Sequence, residues 1–149
     1  MDLTYKLIDD VQSFDAFRSL LKASNLPADD LDFHKDLLVG YFEGNALVGT
    51  GGLEVYGAYG LLRSLSVKLG IRGKSVGTNI CEYLIDEAKQ RKLKAIYLLT
   101  ETASGFFLKR GFHEVPREQV PQELKASSEF SSVCPASAVA MTLDLANDH

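Results

Sequence analysis

The chain has no tryptophan and only two cysteines, two methionines and four prolines among 149 residues. Two cysteines, Cys81 and Cys134, are too few for a disulfide framework, which points to a reducing, cytoplasmic compartment. The three histidines, His34, His113 and His149, are far apart and lack metal-ligand spacing, so no metal is expected. No apolar run approaches the ~18 residues of a membrane span. The opening Met1-Asp2-Leu3-Thr4-Tyr5-Lys6 lacks the apolar core of a signal peptide, so no membrane partner is expected. Positive charge is not in excess: 16 Lys and Arg against 20 Asp and Glu leave a net charge of −4, which gives a nucleic-acid partner no support. What is present is 46% apolar and 24% charged residues, the mix of a globular chain rather than a disordered one. The length suits a single domain over 1–149.

Alternating Leu3, Tyr5 and Leu7 predict a first strand. Phe14, Phe17 and Leu21 then share a helical stripe, with Asp9 or Asp10 as N-cap and an end before Pro27. Residues 29–33 read at best as a short second helix. Residues 35–42, 46–56 and 59–68 read as three strands, joined by turns at Glu43-Gly44-Asn45 and Gly57-Ala58. Over 78–91, Cys81, Leu84, Ile85 and Ala88 fall at i, i+3, i+4 and i+7, an amphipathic helix that makes Cys81 a core residue. The apolar run 95–100 predicts a covered strand parallel to 59–68, completing a βαβ unit. A helix over 102–110 closed by Gly111, a strand at 112–115, a polar stretch to about Cys134 and a last strand at 137–143 follow. With no repeat and no linker, the pattern is that of one α/β domain.

The segment richest in chemistry is 61–78. A strand, Leu61-Leu62-Arg63-Ser64-Leu65-Ser66-Val67-Lys68, enters a Gly- and Lys-rich loop that opens a helix at Thr78. Backbone N–H groups converging there, the helix N-terminus, and the charges of Arg72 and Lys74 suit a pyrophosphate. The rival reading is a basic, solvated helix start. Gly73-Lys74-Ser75 mimics the end of a Walker A loop, but Lys68 stands where its first glycine belongs, which excludes that motif.

In element order and motif the chain resembles the GNAT superfamily of N-acetyltransferases over nearly its whole length. The family's acetyl-CoA loop, Gln/Arg-x-x-Gly-x-Gly/Ala, is matched by Arg72-Gly73-Lys74-Ser75-Val76-Gly77 after the strand end Leu65-Ser66-Val67. An aromatic-rich helix ending in Gly-Phe is matched by Phe106-Phe107-Leu108-Lys109-Arg110-Gly111-Phe112. The resemblance implies a mixed central sheet of about seven strands, with splayed parallel strands and flanking helices. It also implies acetyl-CoA as cosubstrate, held by Leu65, Ser66, Val67, residues 72–78 and Phe107. Pantetheine would pair along the Leu65 and Val67 backbone, and an N–H near Leu65 would stabilise the oxyanion. Ser75 departs from the usual glycine: it is harmless if its φ is ordinary, and unfavourable if φ is positive. Phe107 stands where many members have a proton-donating tyrosine. Thiolate can still leave, since such thiols have an ordinary pKa of ~8.5. Residues 98–103 and the tail from Glu129 to Met141 resemble acetyltransferases encoded with arsenic-resistance genes, and also the domain that acetylates glutamate. Both imply a small amino-acid-like amine as acceptor; a homodimer is an allowed assembly.

Transfer to an amine needs a base, because an ammonium (pKa ~10) has no lone pair. Glu54, in an apolar strand beside the cofactor strand, is one candidate; its rival reading is an outward-facing strand carboxylate. Glu101, at the C-terminal end of a parallel strand, is the other, and equally suits charge complementation of the helix that follows. Arg63 could grip an acceptor carboxylate or be an exposed strand arginine. Cys134 could meet a soft ligand such as arsenic or be incidental. Two other functions stand beside acetyl transfer to a small amine: a non-catalytic acyl-CoA-binding or regulatory module, and a protein acetyltransferase.

Overall fold

A computed structural model describes residues 3–34, 36–68, 75–125, 127 and 137–145. Strand β1 is Leu3–Leu7 and helix α1 is Val11–Ala23. Asp10 caps α1: its Oδ1 accepts the Ser13 N–H at 2.7 Å, and that bond holds its carboxyl below the usual carboxylate range. The helix ends in a Schellman turn, with Leu26 N–H donating to Leu21 and Asn25 N–H to Lys22. Phe17 and Leu21, on the predicted stripe, are fully buried and share a core cluster with the buried Ile8, Ala28, Leu31, Leu38 and Phe42.

Residues 29–33 form no helix; turns stand there instead. The acidic side chains of this stretch are bound elsewhere. Asp32 accepts the His34 N–H, Asp36 accepts the Asp32 N–H, and Asp29 reaches back to Arg18. Such local side-chain bonds compete with a helical ladder.

Strands β2 (Leu37–Glu43), β3 (Ala46–Tyr56) and β4 (Tyr59–Val67) form the expected meander, with Gly44 at φ +61 in the first turn. Helix α2 is Val76–Gln90, beginning two residues before the predicted start because Val76 is itself buried. Cys81, Leu84, Ile85 and Ala88 line its buried side. Strand β5 (Ala95–Thr100) follows, then helix α3 (Ser104–Lys109), shorter than the predicted 102–110 and followed by Gly111 at φ +97. Strand β6 is His113–Glu114 and β7 is Val139–Asp144. A 3-10 turn at Arg117–Gln119 and a helix α4 at Gln122–Lys125 lie in what read as a plain polar stretch. Four residues are too few to display a helical period.

The hydrogen-bonded order of the seven-stranded sheet is β1-β2-β3-β4-β5-β7-β6. β4 and β5 are parallel, paired over Tyr59–Leu61 and Ala95–Tyr97, so β4-α2-β5 is the predicted βαβ unit. The β1/β2, β2/β3, β5/β7 and β6/β7 pairs are antiparallel, which makes this a single α/β domain with a mixed sheet and flanking helices. Its packing divides into two compact units. The first comprises residues up to Glu54 together with Leu62–Asp86 and is built on the α1 cluster. The second comprises Val55–Leu61 and the chain from Glu87 onward. Its core joins Leu61, Val120, Leu124 and Ala140 with the half-buried Tyr56, Tyr59, Tyr97, Leu99 and Val115. Among the described residues, no helix is long and apolar enough to cross a membrane.

Candidate functional site

In the first unit, β3 carries Gly49-Thr50-Gly51-Gly52-Leu53-Glu54. Side chains alternate between faces along a strand, so Gly49 and Gly51 share one face and Thr50, Gly52 and Glu54 the other. The glycine face meets α2. A Cβ on Gly49 would stand 2.7 Å from Val76 Cγ1, and one on Gly51 would run into Ile80 and Leu84. The other face is buried and carries polar groups beside the apolar Leu38. Thr50 Oγ1 donates to the Ser64 carbonyl at 2.7 Å, and a Cβ on Gly52 would stand 3.1 Å from Leu38 Cδ2, 3.4 Å from the Arg63 carbonyl and 3.6 Å from Ser64 Cβ.

Arg63 is the centre of this polar face. Its side chain is 1% exposed and holds Asp30 in a two-pronged pair, Nη1 to Oδ2 at 2.5 Å and Nη2 to Oδ1 at 2.7 Å. Nη1 also donates to Glu54 Oε2 at 3.3 Å. Arg63 is therefore not an exposed strand arginine, and Glu54 is not an outward-facing carboxylate; both are buried. The guanidinium grips an internal carboxylate, that of Asp30. On the outer side of the same turn, Asp29 pairs with Arg18 at 3.1 Å and Lys22 at 3.5 Å. The Arg18 bond, aided by Lys22, holds its carboxyl below the usual range.

Ser64, next along β4, has φ +65, a left-handed value inside a strand. Its side chain is buried, and among the described residues its Oγ has no hydrogen-bond partner. Ser66 is buried as well, its hydroxyl 2.5 Å from that of Ser24 at the end of α1. Leu65 and Val67 between and beyond them are half-buried.

The start of α2 supplies the other part of the site. Arg72, Gly73 and Lys74 lie outside the described residues. Ser75 has φ +64, so the ordinary-φ alternative for this serine does not hold; the position is one that glycine would occupy with less strain. Among the described residues, the first N–H of the helical ladder is that of Asn79, donated to the Ser75 carbonyl at 3.0 Å, and the N–H groups of Val76 and Gly77 precede it. The Val76 side chain is buried on the glycine face of β3, which leaves its backbone as the part that could meet a cofactor. Gly77 and Thr78 are half-buried. This arrangement fits an anion at the N-terminus of a 15-residue helix.

The remaining candidates belong to the second unit. Glu101 is exposed just after β5 and accepts from Ser137 Oγ at 3.0 Å. Phe107 is buried in α3, its ring edge-on to Phe106 and Phe112. Cys134 lies outside the described residues, and Cys81 is buried on α2. The structure thus brings together Glu54 and Arg63 and adds two residues that sequence reasoning did not single out, Asp30 and Ser64. Ser64 had a signal: two polar residues in succession, Arg63-Ser64, put one polar residue on each face of a regular strand, which an irregular strand position avoids. Asp30 had none, since the doublet Asp29-Asp30 does not tell which carboxylate turns inward.

Solved structures of similar fold cover nearly the whole chain. N-acetylglutamate synthase from Neisseria gonorrhoeae, complexed with coenzyme A and N-acetyl-glutamate, aligns with a TM-score of 0.79 at 12% identity, over 97% of this chain and 35% of that one. The chain thus spans about a third of that enzyme's length. Rv2747 from Mycobacterium tuberculosis, in complex with CoA, aligns with a TM-score of 0.79 at 21% identity, over 95% and 99% of the two chains. The ribosomal-protein-S18-alanine N-acetyltransferase from Escherichia coli aligns at 0.68 with 15% identity, over 96% and 94%. At these identities the likeness is one of fold. The model of the acetyltransferase (GNAT) family matches residues 6–112, most of the sequence, and the chain belongs to that family.

Proposed function

We propose that this protein is an acetyl-CoA-dependent N-acetyltransferase that acetylates the primary amine of a small, amino-acid-like acceptor by direct transfer. The observation that carries the reading is the junction of β4 and α2. There a strand ending at Val67 leads to a long helix whose first N–H groups precede the ladder, in a chain of the GNAT family. The N–H groups of Val76 and Gly77, with residues 72–75 and Thr78, hold the pyrophosphate, and the backbone of Leu65 and Val67 pairs with the pantetheine arm. Acetyl-CoA supplies the thioester: the amine attacks its carbonyl carbon, a C–N bond forms and the C–S bond breaks. An N–H near Leu65 faces the developing oxyanion. Glu54 takes the proton that the attacking amine gives up, directly or through one water. Glu101 holds the acceptor's ammonium or the water relay. Phe107 has no proton to give, so the departing thiolate takes one from water.

The acceptor class is supported by relatives of this fold, among them an N-acetylglutamate synthase solved with its acetylated amino acid. The likeness of residues 98–103 to acetyltransferases of arsenic-resistance operons supports the same class, with arsenic resistance as the setting and Cys134 as the soft-ligand contact. The test is release of free thiol from acetyl-CoA in the presence of a panel of amines. Release that depends on free amino acids and exceeds that with peptides is the expected result. Preference for peptides would make the protein an acceptor-protein enzyme. Binding of acetyl-CoA without release by any amine would make it an acyl-CoA-binding module.

A further inference from the structure

We infer that Asp30 is an internal stand-in for the carboxylate of the acceptor, and that the acceptors are free α-amino acids whose carboxylate displaces Asp30 from Arg63. The inference rests on the acceptor class proposed above and narrows it.

Three observations lead to it. The first is the form of the Asp30–Arg63 pair. Both Asp30 oxygens are bound by the two Nη atoms of one guanidinium, the geometry by which arginine recognises any carboxylate. The second is the uneven burial of the partners. The Arg63 side chain is 1% exposed, while that of Asp30 is 19% exposed, so Asp30 is the member that solvent and solutes can reach. Ala28 and Leu31, on either side of the turn, are buried in the α1 core and fix its backbone. Exchange therefore requires rotation of one short side chain rather than movement of the segment.

The third observation is the position of Glu54. Glu54 and Asp30 share a single nitrogen, Arg63 Nη1, at 3.3 and 2.5 Å. A carboxylate that replaces Asp30 thus comes to rest beside Glu54. In an α-amino acid the amine is on the carbon next to the carboxylate, so the same placement brings the amine to the base. An amine without a carboxylate gains nothing at Arg63 and competes with nothing. A peptide's N-terminal residue has its α-carboxyl locked in an amide and is likewise excluded. Ser64 adds a further polar group on the same face: its buried Oγ has no partner among the described residues and can bond the incoming acceptor. Asp30 then sets specificity. It holds the Arg63 fork closed to weakly bound anions and yields to a ligand that also places an amine at Glu54.

The experiment compares wild type with Asp30→Asn, which keeps the shape of the side chain and removes its charge. Calorimetry is run without acetyl-CoA on the common L-α-amino acids, each beside its α-carboxamide, and thiol release from acetyl-CoA is measured in parallel. Asp30→Asn is expected to tighten binding of the best amino acid about tenfold, with its amide unchanged. Asp30→Ala is the second variant and should shift in the same direction. Amino-acid binding that is unchanged or weakened in folded variants overturns the inference, as does an equal shift for acid and amide. Loss of the folded state in both variants also overturns it, because Asp30 is then a structural partner that cannot leave. The outcomes separate from those of the transferase reading. Tighter amino-acid binding with no thiol release leaves the exchange standing and removes the enzyme. Thiol release with carboxyl-free amines and no amino-acid binding does the reverse.

Discussion

The two faces of β3 solve opposite problems with neighbouring residues. On one face Gly49 and Gly51 present no side chain, and Val76, Ile80 and Leu84 of α2 fill the space. On the other, Thr50 and Glu54 bury polar groups against Ser64 and Arg63 of β4. The glycine face contributes close packing, which is tolerant of chemistry and intolerant of volume. The polar face depends on partners: each charge stays buried only because another meets it. Damage to the first should therefore scale with added size, and damage to the second with lost charge.

The largest effect is expected from breaking the polar face at its centre. Arg63→Ala leaves Glu54 buried without its guanidinium, a change that destabilises proteins by about 3–5 kcal/mol. Urea unfolding should show a large drop in the midpoint. A loss under ~1 kcal/mol would mean that the pair is solvated and that the face is not a buried ionic cluster.

Next is the same face tested for chemistry rather than stability. Glu54→Gln keeps the shape and removes the base, and kcat should fall ~10²-fold, about 2.7 kcal/mol of barrier, with little change in acetyl-CoA affinity. The pH–rate profile is the check. Full kcat with an unshifted acidic limb would transfer the role to Glu101 or to water.

On the glycine face, Gly51→Ala places a Cβ against Ile80 Cγ2, an atom fixed close to the helix backbone, and against Leu84. Overpacking of this kind destabilises by about 1–3 kcal/mol. Thermal unfolding of the variant should show it, and the catalytic constants of the fraction still folded should be little altered. A fall in kcat at unchanged stability would join the two faces functionally and undo their separation.

The smallest effect is expected at Ser75. Its φ of +64 disfavours any residue with a Cβ, so Ser75→Gly removes strain but adds freedom to the unfolded chain. The net is a stabilisation of no more than ~1 kcal/mol, together with unchanged or modestly tighter acetyl-CoA binding by calorimetry. Weaker binding would show instead that the hydroxyl itself donates to the phosphates.

Much of this architecture was legible in local pattern. The stripes Phe17–Leu21 and Cys81–Ala88 marked helices because a 3.6-residue period can come from little else. The Asp9-Asp10 pair and Gly111 marked helix ends because capping is a local matter of donors and backbone angle, with Asp10 the residue that caps. The meander and the βαβ unit followed from strand length and turn residues. The last strand was displaced, predicted at 137–143 and found as Val139–Asp144, since its limits are set by pairing with Ala95–Thr100, a segment distant in sequence.

For the candidate site, the sequence by itself determined the chemical types: a glutamate and an arginine on adjoining strands, a Gly-rich approach to a helix, and a phenylalanine in place of a proton donor. Those are properties of residues and of their spacing. Tertiary structure alone decided that Arg63 is buried and that Asp30, rather than Asp29, is its partner, because a carboxylate's direction depends on where the backbone turns and on which cation waits there. It also decided the φ of Ser64 and Ser75, since a left-handed serine is held by surrounding contacts against its own preference. Local sequence encodes what a residue prefers; only packing shows where that preference has been overruled.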